Sequence, residues 1–463
     1  MIDVLLTHSN HLFSDAKQVQ KMQPYAPLQT LIAAAVLRQA GISVAVCDVT
    51  LQDPEKAFKN CLQTFAPTLV VVCEDDFNFL SKMCLARNRE LAFWMAETAK
   101  AHGSRTAVHG FDASDHIQEF LNAGFDCVLI GEVEETLLEL AKDYSIDDLP
   151  GVAFVSSRDR RIAYNPRRPI RADLDSLPTP AWDLVDIEQY RGAWLSRHGF
   201  FSMNLVSSRG CPYRCNWCAK PIYGNSYHAQ SAVRIAKEML HVKQTYCPDH
   251  LWFADDIFAL SAKWTENFSN AVERLEAQIP FRMQSRCDLM TRDTVIALKR
   301  AGCTEVWMGA ESGSQQVLDA MEKGIRIEHI YEARRNLARH GIRAGLFLQF
   351  GYPNETWQDI EATVRMVRET RPNDIGVSVS YPIPGTKFFQ LVASQMGKKT
   401  QWSESGDLAM MFKGTYSSDV YRALADALHL EVRQPDQQIA IRAAWNRVDE
   451  LKNRTSLPAG AGL

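Results

Sequence analysis

The sequence reads SRGCPYRCNWC over residues 208–218, and this stretch decides the interpretation of the fold. It places Cys211, Cys215 and Cys218 at a C-x₃-C-x₂-C spacing in one loop, directly after a predicted apolar strand. Three thiolates at this spacing can hold an iron–sulfur cluster. A zinc site would usually need a fourth cysteine or histidine nearby, and the next histidine is His228. The motif therefore favours a cluster with three protein ligands and one open iron.

Apolar strands and amphipathic segments alternate around this loop. Six β-α repeats follow from residue 201, and such repeats are typical of a partial barrel whose chemistry lies at the carboxyl ends of its strands. The predicted strands are 202–207, 250–253, 281–285, 304–308, 345–350 and 376–379. The predicted helices are 231–246, 262–278, 292–301, 314–322, 328–340 and 356–370.

The first part of the chain alternates in the same way and predicts five β-α units. This pattern indicates a doubly wound, Rossmann-like parallel sheet that binds ligands at the carboxyl ends of its strands. The predicted strands are 1–6, 42–47, 68–73, 106–109 and 127–130. The predicted helices are 25–39, 54–65, 79–101, one that ends at residue 124, and 134–142.

These patterns predict four consecutive parts of an α/β protein. Residues 1–145 form the Rossmann-like domain, and the proline-rich residues 146–200 form a linker with a hairpin at 152–164. Residues 201–390 form the partial (β/α)₆ barrel. Residues 391–463 form a short helical extension with helices at 416–430 and 436–452 and a frayed tail from residue 456.

Composition excludes several classes of protein. The chain has 463 residues, a formal net charge of −4 and 46% hydrophobic residues, so no basic excess indicates a nucleic-acid partner. No apolar run is long enough for a membrane span, and the first 20 residues do not resemble a secretory leader. The eleven cysteines are an odd number and do not suggest a disulfide framework. We expect a cytoplasmic protein.

The cysteine motif and its context resemble the radical S-adenosylmethionine (SAM) superfamily, and within it the subgroup with an N-terminal cobalamin-binding domain. The resemblance implies that Cys211, Cys215 and Cys218 ligate a 4Fe–4S cluster whose open iron chelates SAM. In this family one electron cleaves SAM into methionine and a 5′-deoxyadenosyl radical, which abstracts hydrogen from the substrate. Trp217 occupies the aromatic position that packs beside the adenine in the family.

Further motifs of the family follow in order at the ends of the later strands. The resemblance implies that they bind the amine, carboxylate, ribose and adenine of SAM. The implied residues are Asp255 and Asp256 after the second strand, Arg286 after the third, Glu311 and Ser312 in GAESG after the fourth, and Gly351 and Pro353 after the fifth. The segment YPIPGT at 381–386 resembles the end of the sixth strand in this subgroup.

The first 145 residues resemble the cobalamin-binding module of the same subgroup. The resemblance implies cofactor contacts from Gly110, Gly131 and Glu132. The D-x-H-x-x-G motif that supplies an axial histidine in other cobalamin proteins is absent, because Asp115 and His116 are adjacent. Many members of the subgroup also lack that histidine, and the same fold without cobalamin remains an alternative.

Other cysteines and histidines are expected to have structural roles. The cysteines predicted to be buried as small hydrophobic residues are Cys47, Cys73, Cys127, Cys247, Cys287 and Cys303. The histidines expected to be solvated or hydrogen-bonded are His8, His11, His109 and His116.

These features predict an enzyme that modifies an unactivated carbon of a small metabolite with a 4Fe–4S cluster, SAM and cobalamin. Methyl transfer is favoured because it is the commoner outcome in the subgroup. The alternatives are an oxidative cyclisation or rearrangement like that of the anaerobic magnesium-protoporphyrin monomethyl ester cyclases, and a radical enzyme whose cobalamin domain is degenerate. A non-catalytic cluster-bearing sensor is disfavoured by the SAM-site motifs. The expected electron donor is a flavodoxin or ferredoxin.

Overall fold

A computed structural model describes residues 1–78, 83 and 85–455, and two large β-sheets organise them. The first sheet contains β1 (Val4–Thr7), β2 (Val44–Cys47), β3 (Leu69–Cys73), β4 (Arg105–His109), β5 (Cys127–Leu129), β6 (Val152–Val155) and β7 (Ile162–Tyr164). The helices of this half are Ala16–Lys21, Leu28–Gln39, Pro54–Phe65, Leu85–Ala101, Phe111–Asp115, Ile117–Asn122 and Val133–Ala141. Residues 79–82 and 84, where the predicted helix 79–101 begins, lie outside the described residues.

Helices cover both faces of the first sheet because its strands are apolar on both sides. Along β3, Val70 and Val72 face one hydrophobic cluster, whereas Leu69 and Val71 face another. This alternation follows from the two-residue period of a strand. The helix Pro54–Phe65 illustrates the local signals, since the Asp53 carboxylate caps its first turn and proline begins it.

The order of the first sheet is β2-β1-β3-β4-β5-β6-β7. Strands β1 to β5 are parallel, as predicted. The hairpin predicted at 152–164 is present, but β6 pairs antiparallel with β5 and extends this sheet instead of lying apart in a linker. The physical reason is burial, because Val152, Ala153 and Phe154 all lie in the core.

The second sheet confirms the predicted partial barrel. Its six strands are β8 (Ser202–Leu205), β11 (His250–Phe253), β12 (Phe281–Arg286), β13 (Cys303–Glu311), β14 (Arg343–Phe350) and β15 (Asp374–Val379). They are all parallel and lie in the order β15-β14-β13-β12-β11-β8. The helices between them are Ala232–Tyr246, Ala262–Arg274, Arg292–Ala301, Gln315–Ala320, Ile327–Arg339 and Trp357–Thr370. A separate two-stranded hairpin joins β9 (Ser208–Arg209) to β10 (His228–Ala229).

The segment between the two sheets is packed into the protein. It contains a helix that the sequence did not predict, Ile187–His198. Trp182 and Trp194 are each 1% exposed, and the Trp194 indole donates a hydrogen bond to the Pro24 carbonyl at 2.7 Å. Both tryptophans share one core cluster with the barrel strands and with the helix Leu28–Gln39. Proline content therefore marked an irregular path and not an exposed linker.

The C-terminal part packs against the barrel. Helices Ser418–Arg433 and Gln438–Thr455 confirm the two predicted helices, and an additional helix spans Lys387–Val392. The helix Ser418–Arg433 buries its apolar face in the barrel core through Tyr421, Leu424 and Leu428. The predicted frayed tail lies outside the described residues. Across the described part of the chain, no helix is long and apolar enough to span a membrane.

Candidate active site

The hairpin β9–β10 closes the loop that carries the three cysteines. Gly210, which immediately precedes Cys211, has a φ of 79°. A Cβ at this position would collide with the Ser226 carbonyl and lie 3.1 Å from the Tyr223 Cβ. Glycine is therefore required where the chain leaves the hairpin and enters the cysteine loop.

A lysine inside the loop fixes its turn. The Lys220 ammonium donates hydrogen bonds to the carbonyls of Cys211 and Tyr213 and to the Asn225 amide oxygen. The bond to Cys211 is 2.8 Å long, and the bond to Asn225 is 3.1 Å long. Three donors of one ammonium thus hold three points of the loop in place.

Cys211, Cys215 and Cys218 are all half-buried. Burial raises the pKa of the Cys211 thiol, and the nearby Lys220 ammonium opposes that effect. Within the described ranges, no group of three His, Cys, Asp or Glu side chains is close enough to share one metal ion. The cysteines of an iron–sulfur cluster bind different irons, so three thiols spread along one loop suit such a cluster.

The loop also docks onto the barrel through Asn216 and Trp217. The Asn216 amide donates to the Ala320 carbonyl at 2.7 Å and to the Tyr352 hydroxyl at 2.9 Å. Trp217 packs against a cluster that includes Tyr352 and Phe388, and its indole nitrogen is buried with no hydrogen-bond partner in the part of the chain that the structure describes. Trp217 is thus at the edge of the barrel mouth with an unused donor.

Two buried cations lie beside the cysteine loop. The Arg286 guanidinium lies 3.6 Å from the centre of the Tyr213 ring and pairs with the Asp288 carboxylate at 2.9 Å. The Lys323 ammonium pairs with the Glu311 carboxylate at 2.7 Å. Burial opposes the charge of Lys323, but Glu311 outweighs it and raises the lysine pKa. The structure therefore brings Arg286 and Glu311 to the loop, each with a partner that the sequence did not reveal.

The end of β13 is strained in the way a binding turn often is. Glu311 has a φ of 60°, and the register of β13 against β14 shifts between Gly309 and Glu311. The neighbouring Ser312 accepts a hydrogen bond from the Ser314 amide and lies 3.1 Å from the Thr363 hydroxyl. Ser312 thus shapes the turn, and Glu311 faces Lys323.

The two aspartates after β11 are in different surroundings. Asp255 is buried and accepts hydrogen bonds from the Ser207 amide and from the hydroxyls of Ser207 and Ser208. Burial raises the pKa of Asp255 to about 6, although these hydrogen bonds oppose it. Asp256 is exposed, and its charge acts on the Cys211 thiol. Asp255 therefore fixes the start of the loop, and Asp256 is the solvent-exposed carboxylate of the two.

The fifth-strand segment makes a close backbone approach. Gly351 has a φ of 76°, and its amide donates to the Glu355 carboxylate at 2.6 Å. A Cβ on Gly351 would lie 2.8 Å from the Met410 sulfur. Pro353 is half-buried two residues further on. Burial raises the pKa of Glu355 to about 8, so this carboxyl group is protonated at neutral pH.

Acidic side chains and histidines line the carboxyl end of the first sheet. His109 pairs with Asp76 at 2.9 Å, and the Ser9 amide and hydroxyl both donate to Glu74. One carboxylate oxygen of Glu74 and one of Asp76 are buried with no hydrogen-bond partner among the described residues. Gly110 has a φ of 145°, and a Cβ there would lie 2.8 Å from the Glu74 Cβ. This edge therefore has unused acceptors in a tightly packed setting.

Glu132 connects the first sheet to the cysteine loop. It follows Gly131, whose φ is 82°, and its carboxylate accepts from the Arg209 guanidinium at 2.7 Å. Arg209 also pairs with Glu134, and the side chains of Arg209 and Glu134 are each 2% exposed. Because Arg209 lies two residues before Cys211, this buried ion triad ties the cluster loop to the first sheet.

The structure confirms most of the structural roles predicted for the other cysteines and histidines. The buried cysteines are Cys47, Cys73, Cys127, Cys287 and Cys303. The prediction was wrong for Cys247, which is exposed because it ends the helix Ala232–Tyr246 in a left-handed conformation with a φ of 47°. Hydrogen bonds engage His8, His109 and His116, whereas one buried ring nitrogen of His11 has no partner within residues 1–78, 83 and 85–455.

Sequence reasoning missed the residues that support the site. Lys220, Lys323 and Arg209 lie 2 to 12 residues from the motifs that were recognised. Position in the chain offers one hint, because Arg209 stands two residues before the first cysteine of the motif and Lys220 stands two residues after the third. Arg209 pairs with Glu134 across a separation of 75 residues, whereas the partners of Lys220 and Lys323 lie 5 to 12 residues away.

Comparison with known proteins identifies the class. Residues 205–367 match the family model described as the radical SAM superfamily. This match confirms the resemblance inferred from the cysteine motif and its neighbours. Residues 205–367 are therefore similar to a radical SAM domain.

Curated relatives include proteins named as methyltransferases and proteins named as cyclases. An uncharacterised methyltransferase of Pyrococcus horikoshii is 26% identical over 65% of this chain and 66% of its own length. The anaerobic magnesium-protoporphyrin IX monomethyl ester cyclase of Rubrivivax gelatinosus is 23% identical over 60% of this chain and 50% of its own length. The chain thus spans one half to two thirds of the length of these relatives.

Solved structures share the two-part fold. The radical SAM methyltransferase TsrM of Kitasatospora setae, determined with cobalamin and a [4Fe–4S] cluster bound, superposes with a TM-score of 0.70. The match has 19% identity and covers 84% of this chain and 74% of TsrM. The cobalamin-dependent SAM radical enzyme OxsB superposes with a TM-score of 0.66 and 20% identity over 84% of this chain and 54% of its own. The α/β architecture of an N-terminal sheet domain followed by a partial barrel is confirmed.

Proposed function

We propose that this protein is a radical SAM enzyme that uses a 4Fe–4S cluster, SAM and cobalamin to methylate an unactivated carbon of a small molecule. The observation that carries the proposal is the loop with Cys211, Cys215 and Cys218, which hairpin β9–β10 closes at the carboxyl edge of a half-barrel. When bound, the cluster supplies the electron that cleaves SAM, and cobalamin supplies the methyl group.

The donor set fits the cluster. Three half-buried thiols on one loop can each bind a different iron. Lys220 fixes the backbone of this loop through hydrogen bonds to the carbonyls of Cys211 and Tyr213. The positive charges of Arg286 and Lys323 lie close enough to Cys215 to interact with it. In this proposal the three cysteines ligate the cluster and the cations stabilise its negative charge.

The surrounding residues fit SAM. We assign the SAM carboxylate to Arg286 and the SAM amine to Asp256, because both lie at the cysteine loop and oppose the charges of these groups. We assign Glu311 to the ribose, with Lys323 holding its carboxylate in place. The adenine is assigned to the space near Trp217, Gly351 and Pro353, where the Trp217 indole nitrogen is an unused buried donor.

The first sheet fits cobalamin. The edge of a corrin ring carries primary amides, which donate hydrogen bonds. The unpartnered buried oxygens of Glu74, Asp76 and Gln29 are acceptors for such donors at the carboxyl end of this sheet. Gly110 supports this edge by its close contact with Glu74. We assign Glu132 an indirect role, because Arg209 already occupies its carboxylate.

The proposal assigns no histidine to the lower face of cobalt. His116 lies 2.9 Å from the Asp112 carboxylate, and both ring nitrogens of His109 are engaged by Asp76 and the Leu129 carbonyl. The missing D-x-H-x-x-G motif agrees with these contacts. The partners in this proposal are a small-molecule substrate and a flavodoxin or ferredoxin as the electron donor, in the cytoplasm.

Replacement of one cysteine tests the proposal. We expect Cys215→Ala, reconstituted with iron and sulfide without oxygen, to lose both the cluster and the formation of 5′-deoxyadenosine from SAM. Cys247→Ala is the matched control, because Cys247 is exposed outside the loop, and it should keep both. A Cys215→Ala protein that still forms 5′-deoxyadenosine would refute the assignment.

The named relatives leave a second outcome for the products. Cyclases are among the relatives, and they favour hydrogen abstraction without methyl transfer as the alternative reaction. SAM with an isotopically labelled methyl group separates the two reactions. Label in the product supports methylation, whereas a modified product without label supports the cyclase type.

A further inference from the structure

Two cysteines outside the cluster loop share one cleft. Cys47 ends β2, and Cys61 lies on the helix Pro54–Phe65 that packs against this strand. Both side chains line this cleft, and each thiol affects the ionisation of the other. Cys47 is 1% exposed, whereas Cys61 is half-buried and reaches the cleft more openly. The arrangement is a pair of thiols in one cleft with one accessible sulfur.

The cleft has the size and charge of a small-molecule site. Its volume is about 200 Å³, and it lies between the edge strand β2 and the segment that begins the helix Ile187–His198. Its acidic lining residues are Asp48 and Asp186, and no lysine, arginine or histidine belongs to its lining. Such a cleft admits small neutral or cationic molecules and disfavours anions.

We propose that Cys47 and Cys61 form a redox-active dithiol that small neutral or cationic disulfides oxidise to an internal disulfide. The inference stands apart from the radical chemistry, because none of its residues belongs to the cysteine loop or to the barrel.

The reaction proceeds in two thiol–disulfide exchange steps. The Cys61 sulfur attacks one sulfur of the small disulfide, and the other half leaves as a thiolate that takes a proton. The Cys47 sulfur then attacks the Cys61 sulfur, displaces the second small thiol and gives it the Cys47 proton. The protein loses two electrons, and one small disulfide is reduced to two thiols.

The order of the two steps follows from the environments of the sulfurs. Cys61 is half-buried and Cys47 is 1% exposed, and the interaction between the two thiols lowers the pKa of Cys61 and raises that of Cys47. The half-buried Cys61 is therefore the attacking thiol, and the buried Cys47 is the resolving thiol.

The disulfide has a defined neighbour. Asp48 follows Cys47 directly, and its carboxylate binds the His8 ring at 3.1 Å and the Tyr190 hydroxyl at 2.6 Å. Tyr190 belongs to the helix Ile187–His198, which packs between the two sheets. The oxidised pair would therefore sit beside the contact that joins the edge of the first sheet to the connecting segment.

The test treats the anaerobically prepared, cluster-loaded protein with bis(2-hydroxyethyl) disulfide, alkylates the remaining thiols and maps the peptides by mass spectrometry. We expect a Cys47–Cys61 disulfide in the wild type and none in Cys61→Ser. In Cys47→Ala the mixed disulfide with mercaptoethanol should accumulate on Cys61, because the resolving thiol is gone. Oxidised glutathione, an anion, should react roughly tenfold more slowly at low salt.

Two results would overturn the proposal. One is a wild-type protein in which Cys47 and Cys61 are both alkylated after the treatment. The other is a folded Cys47→Ala protein without the adduct on Cys61, which would mean that the cleft does not admit the disulfide. Cys247→Ser controls for reaction at an exposed cysteine and should leave the Cys47–Cys61 disulfide unchanged.

Discussion

Removal of the Arg209 guanidinium is the perturbation with the most specific structural consequence. The variant Arg209→Met keeps most of the length of the side chain but leaves the carboxylates of Glu132 and Glu134 buried near each other without their cation. The Gln29 amide still donates to Glu134 at 3.0 Å, and the Arg171 backbone amide still donates to Glu132. Neither supplies a positive charge at the carboxylates.

The magnitude follows from the pKa of Glu134. Burial opposes its ionisation, but Arg209 outweighs burial and lowers the pKa from 4.5 to about 2. At about 1.4 kcal/mol per pKa unit, that difference corresponds to about 3 kcal/mol. Loss of one partner of a buried ion pair costs about 3–5 kcal/mol. Glu132 shifts the other way, because burial raises its pKa more than Arg209 lowers it, so we base the magnitude on Glu134.

The stability difference between wild type and Arg209→Met should depend on pH. A carboxylate with a lowered pKa stabilises the fold above its unfolded pKa and loses that contribution as the pH falls through its folded pKa. The difference between wild type and Arg209→Met should therefore be fully present at pH 7. It should shrink as the pH falls from about 4.5 towards 2, the interval that Glu134 titrates.

The assay is urea unfolding followed by circular dichroism at pH 7 and at pH 3.5. We expect Arg209→Met to lose about 3–5 kcal/mol at pH 7 and less at pH 3.5. The control is Arg300→Met, because Arg300 pairs with Glu273 at the surface, and its unfolding should be unchanged. Glu134→Gln in the Arg209→Met background should restore part of the loss. Unfolding of Arg209→Met that matches the Arg300→Met control would refute the reasoning.

Three further predictions concern the loop and its surroundings. Lys220→Met removes three hydrogen bonds from the cysteine loop and should reduce the iron content measured per chain. The control Lys237→Met changes an exposed lysine and should leave the iron content unchanged. Glu311→Gln loses one charged hydrogen bond and should weaken SAM binding by about tenfold or more in equilibrium dialysis, while the iron content stays normal. An unchanged SAM affinity would contradict the role assigned to Glu311. Burial raises the pKa of Glu355 to about 8, so the free energy of unfolding of the wild type should fall as the pH rises from about 4.5 to 8. Urea titrations of Glu355→Gln should lack that fall, which is on the order of 4–5 kcal/mol.

The sequence was sufficient to predict the barrel because its signals are local. The strands β11 and β14 are apolar runs flanked by amphipathic helices, and their predicted bounds agree with the structure within two residues. The cysteine loop was predictable for the same reason, since its three thiols lie within eight residues. Periodicity and short spacing are enough wherever the interacting residues are neighbours in the chain.

Contacts between distant segments could not be predicted in the same way. The antiparallel pairing of β6 with β5 depends on a register that no local pattern encodes. The burial of Trp182 depends on the helix Leu28–Gln39, far away in sequence. The partner of Arg209 was equally hidden, because an arginine before a cysteine motif does not specify which carboxylates the fold brings to it.

The residues predicted to bind SAM lie at strand ends, as expected, but the surroundings of their side chains were not predictable. Arg286 and Glu311 were predicted to bind SAM, and each has a charged partner in the structure. Asp255 is engaged by serines at the start of the loop, whereas the neighbouring Asp256 is exposed. Such differences arise because a buried charge needs a partner whether or not a ligand is bound.

The most direct test of the central claim is the metal content of the protein. The chain should be reconstituted without oxygen, supplied with cobalamin, freed of unbound cofactor, and assayed for iron and cobalt per chain. We predict about four irons and one cobalt, since a 4Fe–4S cluster has four irons and cobalamin has one cobalt. About four irons without cobalt would contradict the cobalamin-dependent account, and the absence of stoichiometric iron would contradict the radical SAM account as a whole.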